Sequence, residues 1–166
     1  MAEGGVKAFL ALATCFALSA CEQGQVAQSS FVEFPATQWH ADSVVQFQYE
    51  HAGTPELFEL AMHLQHDASY PYANLFLFRK VLIDGDVQFS DTVQITLADA
   101  YGNWNGEGIG SVKTLDLPYR KQYLRMEAEG LYTFEFQHGM RDTKLSGMRS
   151  LGLTFIRRDG QEKDQQ

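Results

Sequence analysis

The 166-residue sequence predicts an all-β fold, a single-domain antiparallel β-sandwich that is jelly-roll-like in its many short strands. Three observations carry that prediction. Apolar side chains recur with period two in several separate segments, the signature of strands with one buried face. Clusters of Gly, Asp and Asn fall between those segments, where turns are needed. Beyond its first twenty residues the chain has the length of one domain with a sizeable core, so a single apolar centre suffices.

Residues 1–20 read as an export signal. A short polar stretch holding Lys7 is followed by an apolar run from Ala8 to Leu18 and by the small residues Ser19 and Ala20. That run is too short for a permanent span, which needs roughly 20 residues. Leu18, Ser19, Ala20 and Cys21 resemble the lipobox of bacterial lipoproteins, in which a cysteine receives a diacylglycerol before cleavage. A peptidase cleft admits only small side chains beside the scissile bond, and the thiol supplies the nucleophile for a thioether. Cys21 is therefore expected to be the lipidated first residue of the mature chain. Two or three acyl chains on it would hold a membrane stably, at about 0.8 kcal/mol per buried methylene.

Residues 21–30, with Gln25, Gln28, Ser29 and Ser30, read as a lipid-anchored flexible tether. The sandwich is expected over 31–157. Val45, Phe47 and Tyr49 alternate with Gln46, Gln48 and Glu50; Val93, Ile95 and Leu97 do the same with Gln94 and Thr96. Tyr132, Phe134 and Phe136 form the clearest aromatic strand face, and Leu151, Leu153 and Phe155 a further one. Leu75 to Phe78 is apolar on both sides, as on an interior strand covered on both faces or near a crossover. Residues 57–65 are ambiguous. Phe58, Leu60, Met62 and Leu64 suit a strand, whereas Leu57, Leu60, Ala61 and Leu64 suit a helical stripe; the short run among strands favours the strand. Turns are expected at Asp84–Asp86, 102–110, Glu129–Gly130 and Gly139. Residues 158–166 are polar and read as a flexible tail.

Charge and cysteine content narrow the function. The net charge of −8 survives removal of the signal, because Glu3 and Lys7 leave together. Such a surface repels phosphate backbones, so nucleic acid is not an expected partner. Of the two cysteines, Cys15 departs with the signal and Cys21 is consumed by the lipid, which removes thiol chemistry and cysteine-based zinc sites from consideration. No cofactor is expected beyond the covalent lipid on Cys21.

Few side-chain constellations point to catalysis. The sequence has no Gly-x-Ser-x-Gly elbow, His-Glu-x-x-His pair or phosphate loop. His63, His66 and Asp67 contain metal-ligand types, but residues three apart on a strand point to opposite faces. Asn103, Asn105, Gly106 and Glu107 resemble a calcium loop, yet alignment on the glycine leaves Tyr101 and Val112 where carboxylates are required. Gly106, Gly108 and Gly110 read as a hairpin loop, and Arg141 with Asp142 as a solvated turn pair. Trp39, Tyr70, Tyr72, Tyr101 and Trp104 lie in or beside expected loops. Aromatic loop residues serve as contact anchors or sugar platforms, or they plug the ends of a sandwich. Tyr70, Tyr72, Tyr101 and Trp104 are taken as candidate partner-binding residues. Metal ligands and catalytic residues are not assigned.

The ordered set of pieces resembles a known family. After the lipobox come Tyr70-Pro71-Tyr72-Ala73-Asn74-Leu75, Asp91-Thr92, Leu97-Ala98-Asp99, Gly102-Asn103-Trp104-Asn105-Gly106-Glu107-Gly108, Gly130-Leu131-Tyr132, Met140-Arg141 and Leu151-Gly152-Leu153. This order is similar to the GldH-type gliding-motility lipoproteins of Bacteroidetes. The resemblance implies a lipid-anchored, non-enzymatic protein of the cell envelope, outside the cytoplasm on a periplasmic or outer-membrane face. It also implies partners among gliding-motility or secretion proteins, in a process tied to type IX secretion. Two other functions compete: a carbohydrate-binding module stacking sugars on Trp104 and Tyr101, and a glycosidase using Asp99 and Glu107.

Overall fold

The computed structural model describes residues 24–158. The signal over 1–20, Cys21 and the tail beyond residue 158 lie outside the described residues. In chain order the strands are β1 (Gln25–Glu33), β2 (Gln38–His40), β3 (Val45–Ala52), β4 (Glu56–Asp67), β5 (Asn74–Ile83) and β6 (Asp86–Thr96). They continue as β7 (Val112–Pro118), β8 (Leu124–Met126), β9 (Glu129–His138), β10 (Lys144–Ser146) and β11 (Met148–Arg158). One turn of 3-10 helix at Pro35–Thr37 separates β1 from β2.

The strands form two facing antiparallel sheets. One runs β1-β11-β4-β7, with β8 pairing β4 beside β7; the other runs β3-β9-β5-β6; a small ribbon joins β10 to β2. The architecture is an open sandwich, all-β and single-domain. Alternation fixes which side chains meet inside. Phe58, Leu60, Met62 and Leu64 of β4 and Leu151, Leu153 and Phe155 of β11 face Phe47 of β3, Leu75 and Leu77 of β5, and Phe134 and Phe136 of β9. Burial of each such side chain stabilises the fold by about 1.5–3 kcal/mol. Phe155 is the hinge of this packing, with Phe134 edge-on at 5.3 Å and Tyr49 stacked at 4.8 Å.

The ambiguous segment is strand: Leu57 and Ala61 lie off the buried face, so the helical stripe has no counterpart. Two expectations are corrected. Gln25–Ser30 is not tether but the first part of β1, paired with β11 from Gln25↔Arg157 onward. As an edge strand it exposes six of its nine residues and buries none, so its sequence carries no clear period. Leu75 to Phe78 is interior to its sheet, between β9 and β6, but covered on one face alone. Leu75 and Leu77 are buried, while Phe76 and Phe78 remain 37% and 46% exposed, because a two-layer sandwich leaves its outer faces to solvent.

One charged side chain enters the interior. Arg79 of β5 makes a two-pronged ion pair with Asp91 of β6, with Nε to Oδ1 at 2.8 Å, and donates from Nη1 to the Tyr119 carbonyl. Its guanidinium lies 4.4 Å from the centre of the Tyr119 ring. The planar fork thus links β5, β6 and the β7–β8 connection in one contact. At the other end of β5, Asp84 and Gly85 both have positive φ (49° and 91°), the turn that matches the twist of a tight hairpin.

Candidate functional site

The candidate contact residues divide into one exposed tip and one sealed cluster. Tyr101 is 92% exposed. It sits at the end of a tight loop closed by the Ala98↔Trp104 bridge and by Asn105 N donating to the Leu97 carbonyl at 2.8 Å. Asp99 holds that loop. Its carboxylate accepts from the Tyr101 and Asn103 backbone amides at 2.8 and 2.9 Å and from Asn103 Nδ2 at 2.9 Å. The Asn103 side-chain bond keeps the carboxyl below its ordinary range. A glycosidase general acid carries the opposite shift. Asn105 donates to the Thr96 carbonyl at 3.1 Å, so the two asparagines of the calcium-like stretch use their side chains to pin the loop.

Tyr70, Tyr72 and Trp104 do not share that exposure. Tyr70 is buried, and Tyr72 and Trp104 pack against the core. Tyr70 lies edge-on to Tyr72 at 6.0 Å and to Trp104 at 6.4 Å, and His66 meets the Trp104 ring at 4.5 Å. Both phenols have partners: Tyr70 donates to the Asn74 carbonyl and Tyr72 to Asp142 Oδ2, each at 2.8 Å. Burial drives the Tyr70 phenol above its usual range, and the Asp142 bond raises that of Tyr72. Asp142, expected in a solvated turn pair with Arg141, is instead the cluster's acceptor. Gly147 permits the closure. It has φ of 79°, and a Cβ there would stand 2.4 Å from the Tyr70 backbone nitrogen. These rings pack together at an end of the sandwich, Tyr70 buried and Tyr72 and Trp104 half-buried.

Trp39 has a similar fate. It is buried, stacked on Phe34 at 4.6 Å, and donates from Nε1 to the Ser43 carbonyl at 2.9 Å. His138 donates from Nε2 to the Trp39 carbonyl at 3.1 Å. Beside this corner runs a groove of about 410 Å³ bordered by Val32, Pro35, Trp39, Val44 and Lys144.

His63 and His66 point to opposite faces of β4, as their spacing requires: His66 is inside, His63 outside. On the outer face, a polar chain crosses the whole sheet. Ser29 of β1 meets Thr154 of β11 at 2.7 Å, Thr154 meets His63 Nε2 at 2.8 Å, and His63 Nδ1 meets Asp116 of β7 at 2.6 Å. Carboxylate, imidazole and hydroxyl stand in the order of an activated nucleophile. Thr154, however, is buried and its hydroxyl is bonded on both sides, so the chain straps four strands together. Sequence reading missed this strap because its members are far apart in the chain.

With this geometry in view, the comparisons with known proteins are decisive on kinship. A model of the GldH lipoprotein family matches residues 26–155. The chain belongs to the GldH lipoprotein family. The gliding motility lipoprotein GldH homolog of Christiangramia forsetii is 27% identical over 151 residues, covering 89% of this chain and 90% of that protein. The gliding motility lipoprotein GldH of Flavobacterium johnsoniae is 27% identical over 128 residues, covering 76% and 79%. Among solved structures, dimeric latent PorU from Porphyromonas gingivalis aligns over 85% of this chain and 14% of its own, at 11% identity and a TM-score of 0.33. That likeness is too slight to carry argument.

The GldH match runs from β1 into β11, so it takes in both sheets, the sealed cluster and the Tyr101 loop. Membership in a lipoprotein family makes this a membrane-anchored protein outside the cytoplasm. Among the described residues no helix is long and apolar enough to cross a membrane. Cys21, the residue that would carry the lipid, lies outside the described residues.

Proposed function

We propose that this GldH-family chain is a non-enzymatic component of the gliding-motility machinery, anchored through a lipid on Cys21 and acting by protein–protein contact in the cell envelope. The process it serves is linked to type IX secretion. The observation that carries the reading is the family match across the whole sandwich, joined to relatives named for gliding motility. Geometry adds support. Because β1 begins at Gln25, a lipid on Cys21 would hold the sandwich within about 14 Å of chain from the membrane surface. Confinement of that kind raises the effective concentration of neighbouring envelope proteins, so modest contacts suffice. Deletion of the gene should abolish colony spreading, and the Cys21→Ala form should fail to restore it while shifting from membrane to soluble fractions. Normal spreading of the deletion strain would overturn the proposal.

A further inference from the structure

An open sandwich must protect its strand edges, and here the β3 edge is partly filled and the β7–β8 edge is interrupted. β1 and β3 border the same side of the sandwich, and the Gln28 side chain donates to the Gln48 carbonyl at 2.8 Å, filling an edge acceptor of β3. β7 and β8 share the far edge of β4 in two short pieces that carry Lys113, Pro118 and Arg125. Charges, proline and interruption are the devices by which natural sheets repel an incoming strand.

β6 is the fourth edge and uses few of them. Among the described residues it pairs with β5 alone. It runs from Asp86 to Thr96 without Pro, Lys or Arg, and past the bulge at Gln88 its pairing is regular from Phe89 onward. Ile95 faces the core, but two apolar side chains near the start of the strand lie open: Val87 is 58% and Phe89 46% exposed. Val87 pairs with Leu82 and Phe89 with Val81, so they occupy opposite faces of the sheet. A strand laid along β6 would therefore cover apolar surface on both sides while satisfying edge amides and carbonyls.

Charge selects the guest. From Val81 to Val112 the chain has no Lys, Arg or His, yet contains Asp84, Asp86, Asp99 and Glu107 besides Asp91, whose charge is met by Arg79 of β5. Pairing β6 with β6 of a second copy would set acid against acid, in a chain whose net charge is −8. An extended segment alternating apolar residues with Lys or Arg has the complementary character.

We propose that β6 accepts such a basic, extended segment of another polypeptide as a fifth strand of the β3-β9-β5-β6 sheet. Main-chain bonds supply affinity and alternate side chains supply choice of partner. The inference rests on the protein–protein reading above and names where and how that contact forms.

The test uses the mature lipoprotein in detergent micelles and three short peptides: one alternating Val and Lys, one with Glu in place of Lys, and one with Lys retained but alternate backbone nitrogens methylated. Amide exchange over Phe89–Thr96 should slow by about tenfold or more with the first peptide and stay unchanged with the others. The Thr92→Lys, Gln94→Lys double variant changes two exposed side chains on this strand and should lose that protection. Absence of protection at β6, protection centred on β1 or β3, or equal protection by the methylated peptide would each overturn the proposal. In cells, a photo-crosslinker at Thr92 should capture a Lys- or Arg-bearing segment. Capture from Tyr101 but not Thr92 would overturn the edge assignment and leave the protein-contact reading standing; capture from no position on the sandwich would count against both.

Discussion

The cluster of Tyr70, Tyr72, Trp104 and His66 and the hairpin of β5 and β6 are both rich in large apolar side chains, but their surroundings are inverted. The first belongs to loops and strand ends, where aromatics are expected in solvent, yet Tyr70 and His66 are buried and Tyr72 and Trp104 are half-buried against the core. The second includes an interior strand with a continuous apolar run, and its outer face is open. The difference lies in what stands opposite. The Gly147 turn closes against the Tyr70 backbone, and the Asn74 carbonyl and Asp142 accept the phenol protons, so the rings are covered without orphaned hydroxyls. No third layer lies over β5 and β6 among the described residues. Burial follows from the layers the topology builds, and apolar composition alone does not create a layer.

The largest effect should come from the sealed side. Tyr70→Ala removes a buried ring, its bond to Asn74 and its contacts with Tyr72, His66 and Trp104. A loss of about 3–4 kcal/mol in unfolding free energy is expected, by comparison with Phe→Ala changes in other cores. Urea denaturation of the variant checks this. A change below about 1 kcal/mol would mean that the cluster is as open as the hairpin, and the contrast between the two regions would dissolve.

The next effect is a pH dependence just below neutrality that two buried histidines should produce. His66 is buried against Trp104, donating from Nδ1 to the Asp67 carbonyl at 3.1 Å; His138 is buried beside Trp39. Desolvation holds both imidazoles below their ordinary value of 6.5. Around His66, Asp67 favours the charged form and Lys113 opposes it; around His138, Asp142 favours and His40 opposes. In the unfolded chain each imidazole takes a proton as pH falls through 6.5, while in the folded chain it resists. Stability is therefore fully present above 6.5 and declines below it, by at most about 1.4 kcal/mol per pH unit per histidine. Thermal unfolding should show a lower Tm at mildly acid pH than at neutral pH, and His66→Phe should shrink the difference. A flat profile would place these histidines in water.

How much of this was readable from the sequence follows the same division. β3, β9 and β11 were plain because their apolar residues alternate against polar ones on strands with one buried face. β1 was not: Gln25, Gln28, Ser29 and Ser30 look like a tether because an edge strand has less surface to bury. The exposure of Tyr101 was readable from its turn-rich setting. That of Tyr70 and Trp104 was not, since it depends on Gly147 and Asp142, more than thirty residues distant in the chain. The period-two pattern of Val93, Ile95 and Leu97 marked β6 as a strand, but its place at a sheet edge depends on which strands pair, and periodicity is silent on pairing.

The smallest effect tests the open side. Phe78 faces solvent on the outer surface of β5, between Thr92 of β6 and Gln137 of β9, with its ring edge above Gly139. Phe78→Thr replaces one strand former with another and removes a ring that is only about half covered. The cost should be about 1 kcal/mol or less, since full burial of such a side chain accounts for about 1.5–3 kcal/mol. Equilibrium unfolding of this variant beside Tyr70→Ala gives the ratio directly. If the two changes cost the same, another surface covers the hairpin in solution. A dependence of that cost on protein concentration would then identify a second copy as the cover.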